Sequence, residues 1–140
     1  MVGRLVYFGR MLDKIRLHAA GRLPVEEYVP NLSKGFDKRC CGFLRVEYDE
    51  LRKHVVAGKD SDEQVLAWAE GRGGRRPDED CEQWNSFMMK RGFRDEASPV
   101  LAKRIQESGF EGKPIMTMFD YIDFDEGRDP VSARAWEQKG

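Results

Sequence analysis

The chain has 140 residues, 40% of them hydrophobic and 35% charged, and its 24 basic and 25 acidic residues leave a net charge of −1. That balance argues against a globally basic nucleic-acid binder and against an acidic disordered chain. No run approaches the ~20 apolar residues that a bilayer span needs. A chain of this length can bury a sizeable core without metal or disulfide staples, and the expectation is one helical domain over residues 1–130 with a C-terminal tail over 131–140.

The apolar spacing is mostly helical. Phe8, Met11, Leu12, Ile15 and Ala19 follow the i, i+3, i+4, i+7 pattern, and Gly21 and Pro24 supply stop signals. Residues 22–36 read as an extended connection. Asp37 is placed to cap a short helix through Leu44, and Asp49 another that runs to Ala57 with Gly58 as its C-terminal cap. Ser61-Asp62-Glu63-Gln64 is a capping box, followed by Val65, Leu66, Trp68 and Ala69 on the buried side. The Gly71–Pro77 stretch breaks the pattern and reads as a hinge or loop.

A further helix starts near Asp78, its acids Asp78, Glu79 and Asp80 well placed against the positive end of the helix dipole. Its apolar stripe is Cys81, Trp84, Phe87 and Met88, and Gly92 ends it. Asp95–Ser108 reads as another helix, with Pro99 tolerable in the first turn. Ile115, Met118, Phe119 and Ile122 define the last. The fold class expected is therefore all-α, a single compact domain of about six helices. Cys41–Val46 and Leu5–Phe8 are the two places for one short strand pair.

Three cysteines, Cys40, Cys41 and Cys81, form no disulfide framework and fit a reducing cytoplasm. The first ten residues, broken by Arg4 and Arg10, lack the continuous apolar core of a signal peptide. Cys40 and Cys41 lie in a first helical turn beside Lys38 and Arg39, where thiols can become reactive. Free cysteine is also among the most buried residue types, which makes them core residues on the other reading. Neighbouring cysteines do not supply zinc-knuckle spacing, so no metal and no cofactor is expected.

Trp84-Asn85-Ser86-Phe87 and Lys90-Arg91-Gly92-Phe93-Arg94-Asp95-Glu96-Ala97 carry a resemblance. Leu12–Arg16, Gly35–Cys41, and Phe119-Asp120 with Asp125-Glu126-Gly127-Arg128 support it. With these motifs the chain resembles an uncharacterised bacterial family, a domain of unknown function, over roughly residues 8–129. The resemblance implies a small cytoplasmic bacterial domain and no particular activity.

Charge is unevenly distributed along the chain. Residues 1–22 carry Arg4, Arg10, Lys14, Arg16 and Arg22 against Asp13 alone, a net of +4. Residues 111–129 carry Glu111, Asp120, Asp123, Asp125, Glu126 and Asp129 against Lys113 and Arg128, a net of −4. On a helix, Asp120, Asp123 and Glu126 step toward the apolar stripe. They could hold a divalent cation or act as general acid and base; alternatively, the acidic end pairs with the basic one.

Asn85, four residues after Cys81 and three before Met88, faces the buried stripe. Its amide is expected either to bind backbone or, with Arg94, to orient a small anionic ligand. His18 reads as a core-edge histidine and His54 as solvated. Arg72, Arg75 and Arg76 lie among glycines that lack the setting of a phosphate-binding loop.

No nucleophile–base pair, metal cage or cofactor loop stands out. The leading expectation is a non-enzymatic binding or interaction domain whose surface joins Asn85 and Arg94 to Asp123 and Glu126, with Arg128 nearby in sequence. Its partner class is another protein or a second copy, with no membrane and no strong nucleic-acid signal. The alternatives are a small metal-dependent or acid–base enzyme using Asp120, Asp123 and Glu126, with His18 as a further candidate, and an RNA or anion contact through Arg72–Arg76.

Overall fold

A computed structural model describes residues 1–22 and 32–125. It is all-α. Seven helices occur among the described residues: α1 (Phe8–Ala19), α2 (Phe36–Leu44), α3 (Tyr48–Ala57), α4 (Asp62–Gly73), α5 (Asp78–Lys90), α6 (Ser98–Glu107) and α7 (Met118–Asp125). The only strand-like feature among these residues is an isolated antiparallel bridge between Val2 and Leu5. Cys41–Leu44, one of the two places where a strand was expected, belongs to α2.

The chain divides into two compact units, one over Met1–Asn85 and the other beginning at Ser86. In the first, α3 packs on α1, α2 and α4, and α2 also meets α4. The helical periodicity that predicts these elements also builds their core. Phe8, Met11, Leu12 and Ile15 of α1 are buried, with Cys40, Cys41 and Leu44 of α2, Leu51 and Val55 of α3, and Val65, Leu66 and Ala69 of α4. Ala19, placed in the α1 stripe by spacing, is exposed because it falls in the last, solvent-facing turn.

Local signals fix several ends. The Ser61 hydroxyl accepts from the Gln64 amide at 3.2 Å, and the Gln64 side chain accepts from the Ser61 amide at 2.8 Å, completing the expected capping box. At the other end of α4, Gly73 lies against the α2 C-terminus, and a Cβ there would stand 1.9 Å from the Leu44 carbonyl oxygen. Only glycine permits that approach.

Asp37 and Asp49 lie inside their helices and do not cap them; the capping positions are Gly35 and Glu47.

In the second unit α6 packs on α7. The helix expected from Asp95 begins at Ser98, because Gly92–Ala97 form a hydrogen-bonded turn ahead of it. Leu101 and Met118 are buried here, whereas Phe87, expected on the buried stripe of α5, is 38% exposed. Thr117 caps α7: its hydroxyl accepts from the Asp120 amide at 3.1 Å, and Asp120 accepts in return from the Thr117 and Met116 amides. This is a second capping box, with aspartate at the position glutamate usually takes.

Candidate functional site

Asn85 is committed to backbone. Its side-chain oxygen accepts from the Val6 amide at 3.0 Å, and its amide nitrogen donates to the Arg4 carbonyl at 2.8 Å. The neighbouring Trp84 indole donates to the Val6 carbonyl at 3.3 Å and stacks on Phe43, ring centroids 5.1 Å apart. Consecutive α5 residues thus hold the segment that precedes α1. The segment is polar backbone without helix partners, and the Asn85 amide, with one acceptor and one donor side, matches its exposed groups.

A denser polar cluster lies between α1 and α2. The Tyr7 hydroxyl donates to Asp37 Oδ1 at 2.5 Å and accepts from Lys14 Nζ at 2.9 Å, and Lys14 also reaches Asp37 Oδ1 at 2.9 Å. The Ser33 amide donates to the other carboxylate oxygen at 3.2 Å. Asp37 is fully buried. Tyr7 precedes α1 with φ 72°, a left-handed value uncommon outside glycine. Two helical turns separate Tyr7 from Lys14 in sequence, so α1 presents both to Asp37 on one side.

Burial pushes the Tyr7 hydroxyl far above the ordinary tyrosine range, and the adjacent Asp37 adds to the shift. Burial likewise raises Tyr48 to about 12. The phenol of Tyr7 therefore acts as a fixed donor between a cation and an anion, and at neutral pH it is no base.

Cys40 and Cys41 are buried beside this cluster. Burial pushes Cys41 up to about 12, with Asp37 contributing, and Cys40 well above the usual thiol range. Reactive thiols need the opposite setting, an exposed sulfur beside positive charge. The nearby acid was visible in sequence only as a helix cap, and the cluster's signal was Lys14, a base on the same helical face as Tyr7.

Of the N-terminal bases, Arg4, Lys14 and Arg16 pair with acids of their own unit. Arg4 pairs with Asp78, lies 3.6 Å from Glu70 and donates to the Arg76 carbonyl at 2.8 Å. Arg16 pairs with Asp62.

The glycine–arginine stretch is tied down as well. Arg72 bonds Glu50 at 2.7 Å and lies over the Trp68 ring, Arg75 lies 3.6 Å from Glu70, and Arg76 donates to the Gly73 carbonyl at 3.0 Å. His54 is not fully solvated: it stacks on Trp68 at 4.1 Å and bonds Asp60 at 3.1 Å. His18 is exposed.

In the second unit, Asp95 organises the turn after α5. Its carboxylate accepts from the Gly92 amide at 3.0 Å and the Ala97 amide at 2.9 Å, while Ser98 bonds the Gly92 carbonyl and the Asp95 amide. Gly92 has φ 98°, and a Cβ there would stand 2.9 Å from Leu101 and 3.1 Å from the Met118 nitrogen. The Met118 amide donates to the Arg91 carbonyl at 2.7 Å, joining the turn to the start of α7.

Arg94 sits on this turn with φ 53°, its guanidinium 5.1 Å over the exposed Phe93 ring. Asp120 and Asp123 are buried in α7. Among the described residues no three His, Cys, Asp or Glu side chains converge as a metal cage requires.

Asn85 thus belongs to one unit, and Arg94, Asp120 and Asp123 to the other. Glu126 and Arg128 lie outside the described residues.

The residues that make these contacts fall within one family match. The family model for the domain of unknown function DUF5069 matches residues 1–128. The chain belongs to the DUF5069 family. That match takes in the Tyr7–Lys14–Asp37 cluster, the Trp84-Asn85 latch and the Asp95 turn of this DUF5069 chain. No curated protein and no solved structure matches it. Among the described residues of this DUF5069 chain, no helix is long and apolar enough to cross a membrane.

Proposed function

We propose that this DUF5069 chain is a non-enzymatic binding domain of the bacterial cytoplasm that engages another protein through the turn between α5 and α6. Its free, buried cysteines and near-neutral charge support a reducing compartment and a protein partner over a nucleic acid.

The observation that carries this reading is a contrast in how side chains are used. Asn85, Asp37, Asp95 and Asp120, the polar residues best suited to ligand chemistry, bind the chain's own backbone and side chains. Phe93 at 40% exposure, Val100 at 48% and Met116 at 58% are instead left in solvent. All three belong to the second unit, on or next to the elements joined at this turn. Phe93 is on the turn, Val100 is in the first turn of α6, and Met116 is two residues from the bond that joins Arg91 to Met118. Exposed apolar side chains on a turn braced by hydrogen bonds support a contact surface there.

The test is selection from a random-peptide display library on the immobilised full chain, with Phe93→Ser and Val56→Ser as paired variants. Val56 is a 49% exposed apolar residue of the first unit and serves as the control. Enrichment that Phe93→Ser abolishes and Val56→Ser retains supports the reading. No enrichment, or enrichment indifferent to Phe93, overturns it.

A further inference from the structure

Resting on that reading, we infer that the partner presents an acidic peptide segment with apolar anchors. Sequence arithmetic hides the reason. Residues 86–125 contain six basic and seven acidic residues, a formal charge of −1. Folding sorts these charges. Asp120 and Asp123 are buried, and both oxygens of Asp95 are taken up by amides. Among the described side chains of this segment, five bases remain exposed (Lys90, Arg94, Lys103, Arg104, Lys113) against three acids (Glu96, Glu107, Glu111). The surface is therefore more basic than the segment.

At the turn itself the bias is local. Lys90 and Arg94 flank Phe93, and among the described residues neither has an ion-pair partner. Arg94 lies over the Phe93 ring, so its planar cation and the aromatic edge face the same approaching group. Its N–H donors are unspent, and they suit a carboxylate in bidentate geometry. The exposed Val100 and Met116 of the same unit favour a segment that also brings apolar side chains. A polyanion such as nucleic acid has no use for them, and the chain's overall charge does not attract one. The complementarity is thus mixed, with apolar anchors for affinity and carboxylates for orientation and rate.

The experiment uses the full chain and fluorescence anisotropy with three labelled probes. One is a short peptide alternating Asp or Glu with Leu and Phe, the second is the same peptide with Asn and Gln for the acids, and the third is a short oligothymidylate. The acidic peptide is expected to bind best, weakening as salt rises from about 0.05 to 0.5 M. The amide peptide is expected to bind about tenfold more weakly. Lys90→Gln with Arg94→Asn should lower affinity for the acidic peptide about five- to tenfold, within the span for two exposed charge pairs, and leave the amide peptide unchanged. Asparagine is chosen at 94 because it tolerates the left-handed backbone, and Lys90→Gln alone repeats the test without touching that backbone.

Equal binding of the acidic and amide peptides, or tighter binding of the oligonucleotide, overturns this inference. Those outcomes leave the proposed contact surface standing. Absence of library enrichment on the parent chain, or enrichment indifferent to Phe93, by contrast removes the surface itself.

Discussion

Gly73 of α4 lies so close to Leu44 of α2 that a methyl group on its Cα would stand 1.9 Å from the Leu44 carbonyl oxygen and 3.0 Å from that of Arg45. Backbone meets backbone here, so no side-chain rotation relieves the clash. The approach also fixes where α4 stops and lets Arg76 return its guanidinium to the Gly73 carbonyl.

Gly73→Ala therefore has to push two helix termini apart. Overpacking of this kind costs ~1–3 kcal/mol and more where the obstacle is rigid, and a loss at or above ~3 kcal/mol is expected. Gly71→Ala is the control, since nothing lies within 4 Å of a Cβ there; in a helix it should be neutral or mildly stabilising. Urea denaturation of the two variants beside the parent checks this. Similar midpoints for both would mean the helix ends are not in contact.

The Trp84-Asn85 pair makes a separate claim about the N-terminal segment. Asn85→Ala leaves the Val6 amide and Arg4 carbonyl without their partners, a loss of ~1–3 kcal/mol. Asn85→Asp keeps the acceptor for Val6 but offers no donor to Arg4, and should fall between Ala and the parent in a thermal melt. Trp84→Ala removes a nearly buried indole stacked on Phe43, costing ~3–5 kcal/mol. A melt in which Asn85→Ala is indistinguishable from the parent would show that the amide is not holding this segment.

The helical pattern was legible in sequence because burial acts through spacing. The stripe Phe8, Met11, Leu12, Ile15 and the Ser61 capping box both depend on residues within one or two turns, and both appear as read. The orientation of Asn85 toward the interior was also readable from its offset to Cys81 and Met88. What it bonds was not, since Val6 is distant in sequence.

The same limit hid the Tyr7–Lys14–Asp37 cluster, which spans two helices, and turned Asp37 from an expected cap into a buried partner. The acids of α7 were visible as a charge block. The withdrawal of Asp120 and Asp123 from solvent was not, and Asp120 turns back on its own helix start. Charge counted along a chain and charge displayed on its surface are different quantities.

At the Tyr7–Lys14–Asp37 cluster, each single truncation strands a partner. Lys14→Met leaves a fully buried carboxylate with the Tyr7 phenol and the Ser33 amide but without its ammonium partner, and breaking a buried pair in this way costs ~3–5 kcal/mol. Tyr7→Phe removes one neutral bridge and should cost ~1–2 kcal/mol. The double variant Lys14→Met with Asp37→Leu eliminates the stranded charge and is expected to recover part of the Lys14→Met loss. A double-mutant cycle by chemical denaturation measures the coupling. Strict additivity of the two single losses would deny that Lys14 and Asp37 interact.

The raised phenol and thiols make stability fall in alkali. In the unfolded chain a cysteine ionises near its ordinary value of 9.0, whereas folded Cys41 holds its proton to about 12. Between those values the unfolded state has shed a proton that the folded state keeps, so unfolding becomes progressively easier as pH rises. The stabilisation linked to this group is intact below about pH 9 and drains away toward 12, with a slope of at most ~1.4 kcal/mol per pH unit. Tyr48, raised to about 12 from 10.0, adds in the same direction over a narrower interval. Urea midpoints at about pH 8 and about pH 10 should therefore differ in the parent and differ less in Cys41→Ala, whatever that substitution costs in packing at neutral pH. An unchanged slope in Cys41→Ala would mean that the folded thiol ionises as readily as the unfolded one.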